Sequence, residues 1–316
     1  METLINGLHH VTALASGAQK NVDFYTGLLG LRMIKKTINF DAPDVYHLYY
    51  GDEAGSPGTI MTFFPYGGLT RGRKGVGQLT YTAFTIPQNA LSYWMDRLAK
   101  YNIPFDKPAQ RFGETFIRFE DNDGLGIELV AAPNDNRAGW GGGSVPAENA
   151  ITGFHTVTLH ETKADGTLRL LTDVMQHRVA AQDGDYTRLA AGTTGAPGSY
   201  VDVLHQPTAL RGLQGAGTVH HVAFSTDSDA TQLRIREQLL SAGYGPTTVQ
   251  DRNYFHSIYF REPGGILFEI ATNPPGFAID EEPGRLGKEL KLPAWYEPRR
   301  AQIEAGLEPI EMRAFS

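Results

Sequence analysis

One short pattern recurs four times along the chain at nearly constant spacing, and four copies of one unit leave few architectures open. Each copy opens on a strand-like run: Leu8–Thr12, Leu79–Phe84, Phe154–Val157 and Val219–Phe224. Each closes on an apolar strand that runs into proline: Thr59–Pro65, Ile127–Pro133, Val201–Pro207 and Phe268–Pro274. Alignment of the prolines makes Ile60, Glu128, Asp202 and Glu269 equivalent, five residues upstream. Alignment of the opening strands makes His10, Tyr81, His155 and His221 equivalent, 47 to 50 residues before their closing partners. Histidines and carboxylates at matching places in repeated units can converge on a metal between modules.

Composition narrows the chemistry. The 316 residues are 41% hydrophobic, enough for one or two domains with cores of their own. No apolar run could span a bilayer, and no basic stretch followed by an apolar one opens the chain, so a cytoplasmic protein is expected. There is no cysteine, which removes thiolate ligands, iron–sulfur clusters, catalytic thiols and disulfides. A metal would then be held by His, Asp, Glu or backbone, donors that favour hard or borderline cations. A net charge of −7 argues against nucleic-acid binding; the basic cluster Arg71-Gly72-Arg73-Lys74 reads as a solvated loop. Phosphate-loop, nucleophile-elbow and dinucleotide signatures are absent.

Each unit reads strand, helix, then shorter strands. In the first, Val22, Tyr25 and Leu28–Leu29 fall at helical spacing before a stop at Gly30, and strands follow at 32–39, 46–50 and 59–64. Helices are expected again near 90–101, 167–174 and 230–242, with turn signals such as Glu262-Pro263-Gly264-Gly265 between strands. The fold class is α+β: four βαβββ modules in two halves, residues 1–135 and 151–276, built on curved, antiparallel-rich sheets. Residues 136–150, with Gly141-Gly142-Gly143, read as the linker. Residues 277–316 lie outside the repeat as a charged, proline-broken tail with one helix expected around 298–305.

The modules, with metal-ligand types on first and last strands, resemble the vicinal oxygen chelate superfamily of glyoxalases, bleomycin resistance proteins and extradiol dioxygenases. Several stretches resemble its hydroquinone-type ring-cleaving dioxygenases more narrowly. They are Gly7-Leu8-His9-His10, Tyr46-His47-Leu48-Tyr49-Tyr50, Pro57-Gly58-Thr59-Ile60-Met61-Thr62, Arg111-Phe112-Gly113-Glu114, His220-His221 and Pro263-Gly264-Gly265-Ile266-Leu267-Phe268-Glu269. The resemblance spans nearly the whole chain, tail included.

His10, His221 and Glu269 are the leading metal ligands. Two imidazoles and one carboxylate occupy one face of a metal and leave the rest open, as a non-haem Fe(II) oxygenase requires. Glu269 lies within the apolar strand 266–271, where a lone carboxylate is costly unless a cation or donors meet it. A competing triad replaces His10 with His155. Catechol-type relatives pair their third and fourth units, whereas the hydroquinone-type resemblance pairs the first with the fourth, and the doubled His9-His10 matches His220-His221. Glu128, His155, Asp202 and Tyr81 would then form a hydrogen-bonded structural cluster rather than a second metal site.

An apolar Ile60 or Met61 where a fourth carboxylate would stand suits joint binding of substrate and O2 better than a four-ligand isomerase. The resemblance implies pocket roles for His9 as acid/base, for Tyr259 as hydrogen-bond donor and for Arg252 as orienter of a phenolate. His9 and His220 would point away from the metal unless a bulge redirects them. His47, His160, His177, His205 and His256 read as structural or exposed. The expected function is Fe(II)-dependent ring cleavage (Mn(II) being the alternative metal) of a hydroquinone or catechol, with a small aromatic substrate and O2 as partners and a homo-oligomer as the assembly. A glyoxalase-type isomerase or lyase and a non-catalytic small-molecule binding protein are the alternatives.

Overall fold

The computed structural model describes residues 3–133, 135–192, 195–313 and 315. Every repeat contributes four strands. The first module gives β1 (Gly7–Ala15), β2 (Arg32–Asn39), β3 (Ala42–Gly51) and β4 (Ile60–Pro65); the second β5 (Gln78–Pro87), β6 (Ala109–Arg111), β7 (Glu114–Glu120) and β8 (Gly126–Ala132). The third gives β9 (Gly153–Glu161), β10 (Arg178–Asp183), β11 (Tyr186–Ala190) and β12 (Tyr200–His205); the fourth β13 (Thr218–Thr226), β14 (Gln250–Asp251), β15 (Phe255–Arg261) and β16 (Leu267–Pro275).

A helix follows each opening strand: α1 (Ala18–Val22), α2 (Leu91–Lys100), α3 (Asp165–Arg169) and α4 (Asp229–Ser241). The first and third run on into wider π turns at Asp23–Leu28 and Leu170–Val174. In α2, Trp94 and Leu98 lie four residues apart and carry the buried face. The Ser228 hydroxyl accepts from the Thr231 N–H and caps α4. No described helix is long and apolar enough to cross a membrane.

The helical crossover lets the opening strand pair in parallel with the closing strand of its own module, as β1 does with β4 and β13 with β16. Strands in register are about 4.8 Å apart, so the two repeat-equivalent positions of a module become neighbours although some 50 residues separate them. Opening strands then pair antiparallel between modules, β1 with β13 and β5 with β9. Two eight-stranded sheets result, in the orders β14-β15-β16-β13-β1-β4-β3-β2 and β10-β11-β12-β9-β5-β8-β7-β6. Each sheet takes one module from each half of the chain: first with fourth, second with third.

Both ends of the first sheet reach one cavity, lined by Asn39 of β2 and by Gln250 of β14, so this sheet curves round a cup. A single large apolar cluster, including Phe63, Phe84, Trp94, Phe154 and Phe224, fills the space behind the strands. The segment 136–150 is fastened to the second module, where the Trp94 indole donates to the Asn149 carbonyl and Arg97 to the Ser144 hydroxyl. The tail covers the edge of the first module and also touches the fourth, where Phe277 stacks on Tyr254. Leu292, Ile303 and Leu307 pack on Ile38; Ile303 comes from α5 (Arg300–Gly306) and Leu307 follows directly after it. The fully buried Lys35 ammonium lies 2.6 Å from Asp280 of the tail and also meets Glu281.

Candidate metal centre and its pocket

Two β-bulges aim the histidines. Along β1·β13, Leu8 pairs with Phe224 and His10 with Ala223, so His9 is an extra residue; Thr12 pairs with His221 and Ala13 with Val219, so His220 is another. A bulge lets two consecutive side chains share a face. Each doubled histidine therefore forms a contact pair, with His9 Nδ1 2.9 Å from His10 Nδ1 and His220 Nδ1 2.7 Å from His221 Nδ1. That leaves Nε2 of His10 and of His221 pointing the other way.

Those two Nε2 atoms lie 3.3 Å apart, and Glu269 Oε2 is 3.3 Å from the first and 3.0 Å from the second. Donors about 2.1 Å from one metal ion and at right angles to each other lie about 3.0 Å apart. All three residues are buried, and Glu269 Oε2 has no hydrogen-bond donor aligned on it. Three lone pairs converging on one point in a dry site is what a cation relieves. Among the described residues, His10, His221 and Glu269 are the one group of three or more with this geometry.

Burial opposes ionisation of Glu269, yet His10 and His221 hold its carboxyl well below the usual range. Burial pushes His221 down against the pull of Glu269, and it pushes His9 and His220 down to about 3, helped by the adjacent ligand ring. The Phe255 ring sits 5.1 Å from both His9 and His10. A metal on His10 Nε2 requires the proton of His10 on Nδ1, and His9 Nδ1 is then the acceptor in their contact.

A cavity of about 400 Å³ opens over His10 and His221. Tyr259, Arg252 and Phe255 line it from one side, and His47, Tyr49 and Phe64 from the other. Arg252 Nε donates to the Tyr259 hydroxyl at 3.1 Å, and its NH1 meets Asp41 at 3.2 Å across the mouth. Burial and Glu269 raise Tyr259 above the usual phenol range, so it carries its proton. Of the anticipated pocket residues, Arg252 and Tyr259 line the cavity, whereas His9 lies behind His10, outside the lining. His220, expected to pack, does line it, and so does His47. The Tyr46–Tyr50 stretch contained the signal for His47: a histidine and a tyrosine two apart on one face of a strand.

Register corrects two of the repeat equivalences. Ala223 faces Glu269, Ala83 faces Glu128 and Thr158 faces Asp202; in the first module Thr12 faces Thr62, so Thr62 rather than Ile60 holds the carboxylate place. His155 is skipped between Ala83↔Thr156 and Phe84↔Phe154. It is therefore the counterpart of His9 and His220, and Thr156 is the counterpart of the ligands. His155 lies in the other sheet and bonds to Glu114 at 2.9 Å.

The equivalent place in the second sheet is filled by arginine. Glu128 accepts from Arg111 and Arg118, each with a contact of 2.6 Å, and Asp202 accepts from Arg188 at 2.7 and 2.9 Å. Although burial opposes it, these guanidinium groups keep Glu128 ionised and hold its pKa down. Hydrogen bonding and charge from His155, with Arg188, bring Glu114 down to about 2.

Comparison with known proteins agrees with this architecture. The profile of the Glyoxalase/Bleomycin resistance protein/Dioxygenase superfamily matches residues 7–129 and 153–270. The chain is 46% identical to "Putative ring-cleaving dioxygenase MhqO" of Bacillus subtilis (strain 168) over 307 residues, covering 97% of each chain. It is 36% identical to "Chlorohydroquinone/hydroquinone 1,2-dioxygenase" of Sphingobium indicum over 299 residues, 91% of each. The crystal structure of a "putative dioxygenase" from B. subtilis superposes with a TM-score of 0.95 at 45% identity, covering 99% of this chain and 100% of that one.

Proposed function

Since the chain belongs to the glyoxalase/bleomycin resistance protein/dioxygenase superfamily, we propose that it is an Fe(II)-dependent ring-cleaving dioxygenase acting on a hydroquinone-type diol with O2. One observation carries the reading. Three donor atoms stand 3.0 to 3.3 Å apart while the fourth, symmetry-related place holds Thr62. A hydroxyl in place of a carboxylate leaves three protein ligands, which suits two external ligands better than the four-ligand centre of an isomerase. The names of the relatives, ring-cleaving dioxygenases among them, support the same chemistry.

His10, His221 and Glu269 would hold the ion, with the Ser257 hydroxyl donating to the other oxygen of Glu269 and fixing its rotamer. When bound, iron supplies Lewis acidity and an electron path between an electron-rich ring and O2. The protein supplies position. Arg252, aligned by its bond to Tyr259, orients an anionic ring oxygen; protonated Tyr259 donates to oxygen developing charge beside it. Phe64, Phe255 and Leu267 wall the cavity and keep water from the ring. His9 sets the His10 tautomer, holding a proton away from Nε2.

The test is anaerobic Fe(II) reconstitution followed by O2 uptake with a panel of hydroquinones and catechols. Stoichiometric uptake with a ring-opened chromophore, lost in Glu269→Ala, is expected. Bound metal without uptake for any diol would return the assignment to the isomerase class; absence of bound metal would return it to a binding protein.

A further inference from the structure

The candidate centre is lopsided within a symmetric frame. The strand order β15-β16-β13-β1-β4-β3 is a palindrome about the β13·β1 pair, so a local twofold axis passes between the two ligand histidines. Tyr259 faces Glu269 across β15·β16, and Tyr49 faces Thr62 across β3·β4. The residue two before each tyrosine contacts the ligand place: Ser257 donates to Glu269, and His47 Nε2 lies 2.8 Å from Thr62 Oγ1. The two arms are counterparts, but a ligand stands on the fourth-module side only. The first-module arm therefore lines the cavity without a carboxylate in it.

That arm is a chain of neutral groups. Tyr49 Oη is 2.8 Å from His47 Nδ1, His47 Nε2 is 2.8 Å from Thr62 Oγ1, and Thr62 Oγ1 is 2.8 Å from Thr12 Oγ1. Each member can donate or accept, so the chain has two orientations. In one the Tyr49 hydroxyl donates outward; in the other it accepts. Tyr49 and His47 line the cavity, while Thr12 and Thr62 are fully buried behind them.

We propose that Tyr49, backed by His47 and Thr62, is the hydroxyl-binding arm of the pocket, receiving the substrate oxygen that the metal does not hold. The inference rests on the diol reading above. The reversibility matches the ligand, because a ring hydroxyl can donate whereas the carbonyl left after ring opening only accepts. A hydrogen-bond chain that merely satisfied buried groups would show no preference for a second substrate hydroxyl.

The experiment measures anaerobic binding of 1,4-dihydroxybenzene and of phenol to the Fe(II)-loaded protein, together with metal affinity. Tyr49→Phe is expected to weaken 1,4-dihydroxybenzene about tenfold, the effect of one buried neutral hydrogen bond at its upper end, with phenol and metal affinity unchanged. His47→Gln, which keeps a donor and an acceptor, is expected to retain the preference for the diol that His47→Leu loses. This pair keeps the test open should Tyr49→Phe lose its fold by circular dichroism. Equal weakening of both ligands, or of neither, would overturn the arm. Wild-type protein that holds metal yet binds neither ligand would overturn the diol reading and the arm together, whereas a wild-type preference that survives in Tyr49→Phe overturns the arm alone.

Discussion

The two sheets are built from the same unit and reach opposite ends at the same four register positions. In the first sheet, Glu269 and Thr62 hold the carboxylate places and tyrosines 259 and 49 face them. In the second, both places are carboxylates, Glu128 and Asp202, but arginines 118 and 188 face them. The sheet with more acidic groups is thus the one without converging lone pairs. A carboxylate becomes a ligand only when its neighbours leave its charge unanswered, and a tyrosine-to-arginine difference on the adjacent strand decides that. The opening strands complete the contrast, with histidines 10 and 221 against Tyr81 and Thr156.

The largest expected effect is on metal binding. Glu269→Ala should lower Fe(II) affinity by more than about a hundredfold, beyond what loss of an outer partner costs, read by metal analysis after dialysis. Glu128→Ala should leave metal content unchanged and take the shared carboxylate from Arg111 and Arg118, leaving Arg111 its longer contact to Asp202 at 3.5 Å, at a cost of about 3 kcal/mol in urea unfolding. If the two variants lost metal alike, the comparison would fail.

Stability should also differ between the sheets at their edges. The tail shields β2, where the Lys291 N–H bonds to the Lys36 carbonyl, while β10 at one edge of the other sheet is mostly exposed. Asp280→Asn combined with Glu281→Gln would leave Lys35 buried without a counter-charge, at an expected cost of about 3 kcal/mol in a denaturant melt. A cost near zero would mean that the tail does not hold the first module in place.

A smaller effect follows from acid. Glu114 has its folded pKa depressed to about 2 from 4.5, so it binds fewer protons when folded than when unfolded. Its stabilisation is present above the unfolded value and is lost as pH falls from 4.5 towards 2. Unfolding midpoints compared at pH 5 and pH 3 should drop less in Glu114→Gln than in the wild type; an equal drop would separate Glu114 from the acid response.

The repeat, the module type and the three convergent residues were legible because helical and strand periodicities carry them and because doubled histidines recur. What the sequence could not place were the bulges, anticipated only as a condition for redirecting His9 and His220. An extra residue in a strand flips the face of every side chain after it, and neither His9 nor His220 is a glycine that would announce one. Hence His155, one place off, looked like a ligand. The proline alignment failed for a related reason: β4 meets its proline two residues sooner after the ligand place than its counterparts do, which put Ile60 where Thr62 stands. The arginines at 111, 118 and 188 were invisible as a group because cross-strand pairing assembles them. His47 was passed over because its pairing with Tyr49 on one face of β3 shows which face they share but not which cavity that face lines.

Metal stoichiometry tests the central claim most directly, measured on the wild type, Glu269→Ala and Glu128→Ala after anaerobic Fe(II) loading and removal of free ion. One iron per chain in the wild type and in Glu128→Ala, with none in Glu269→Ala, is the predicted result. Two irons per chain in the wild type, or iron that survives in Glu269→Ala and is lost in Glu128→Ala, would contradict the account.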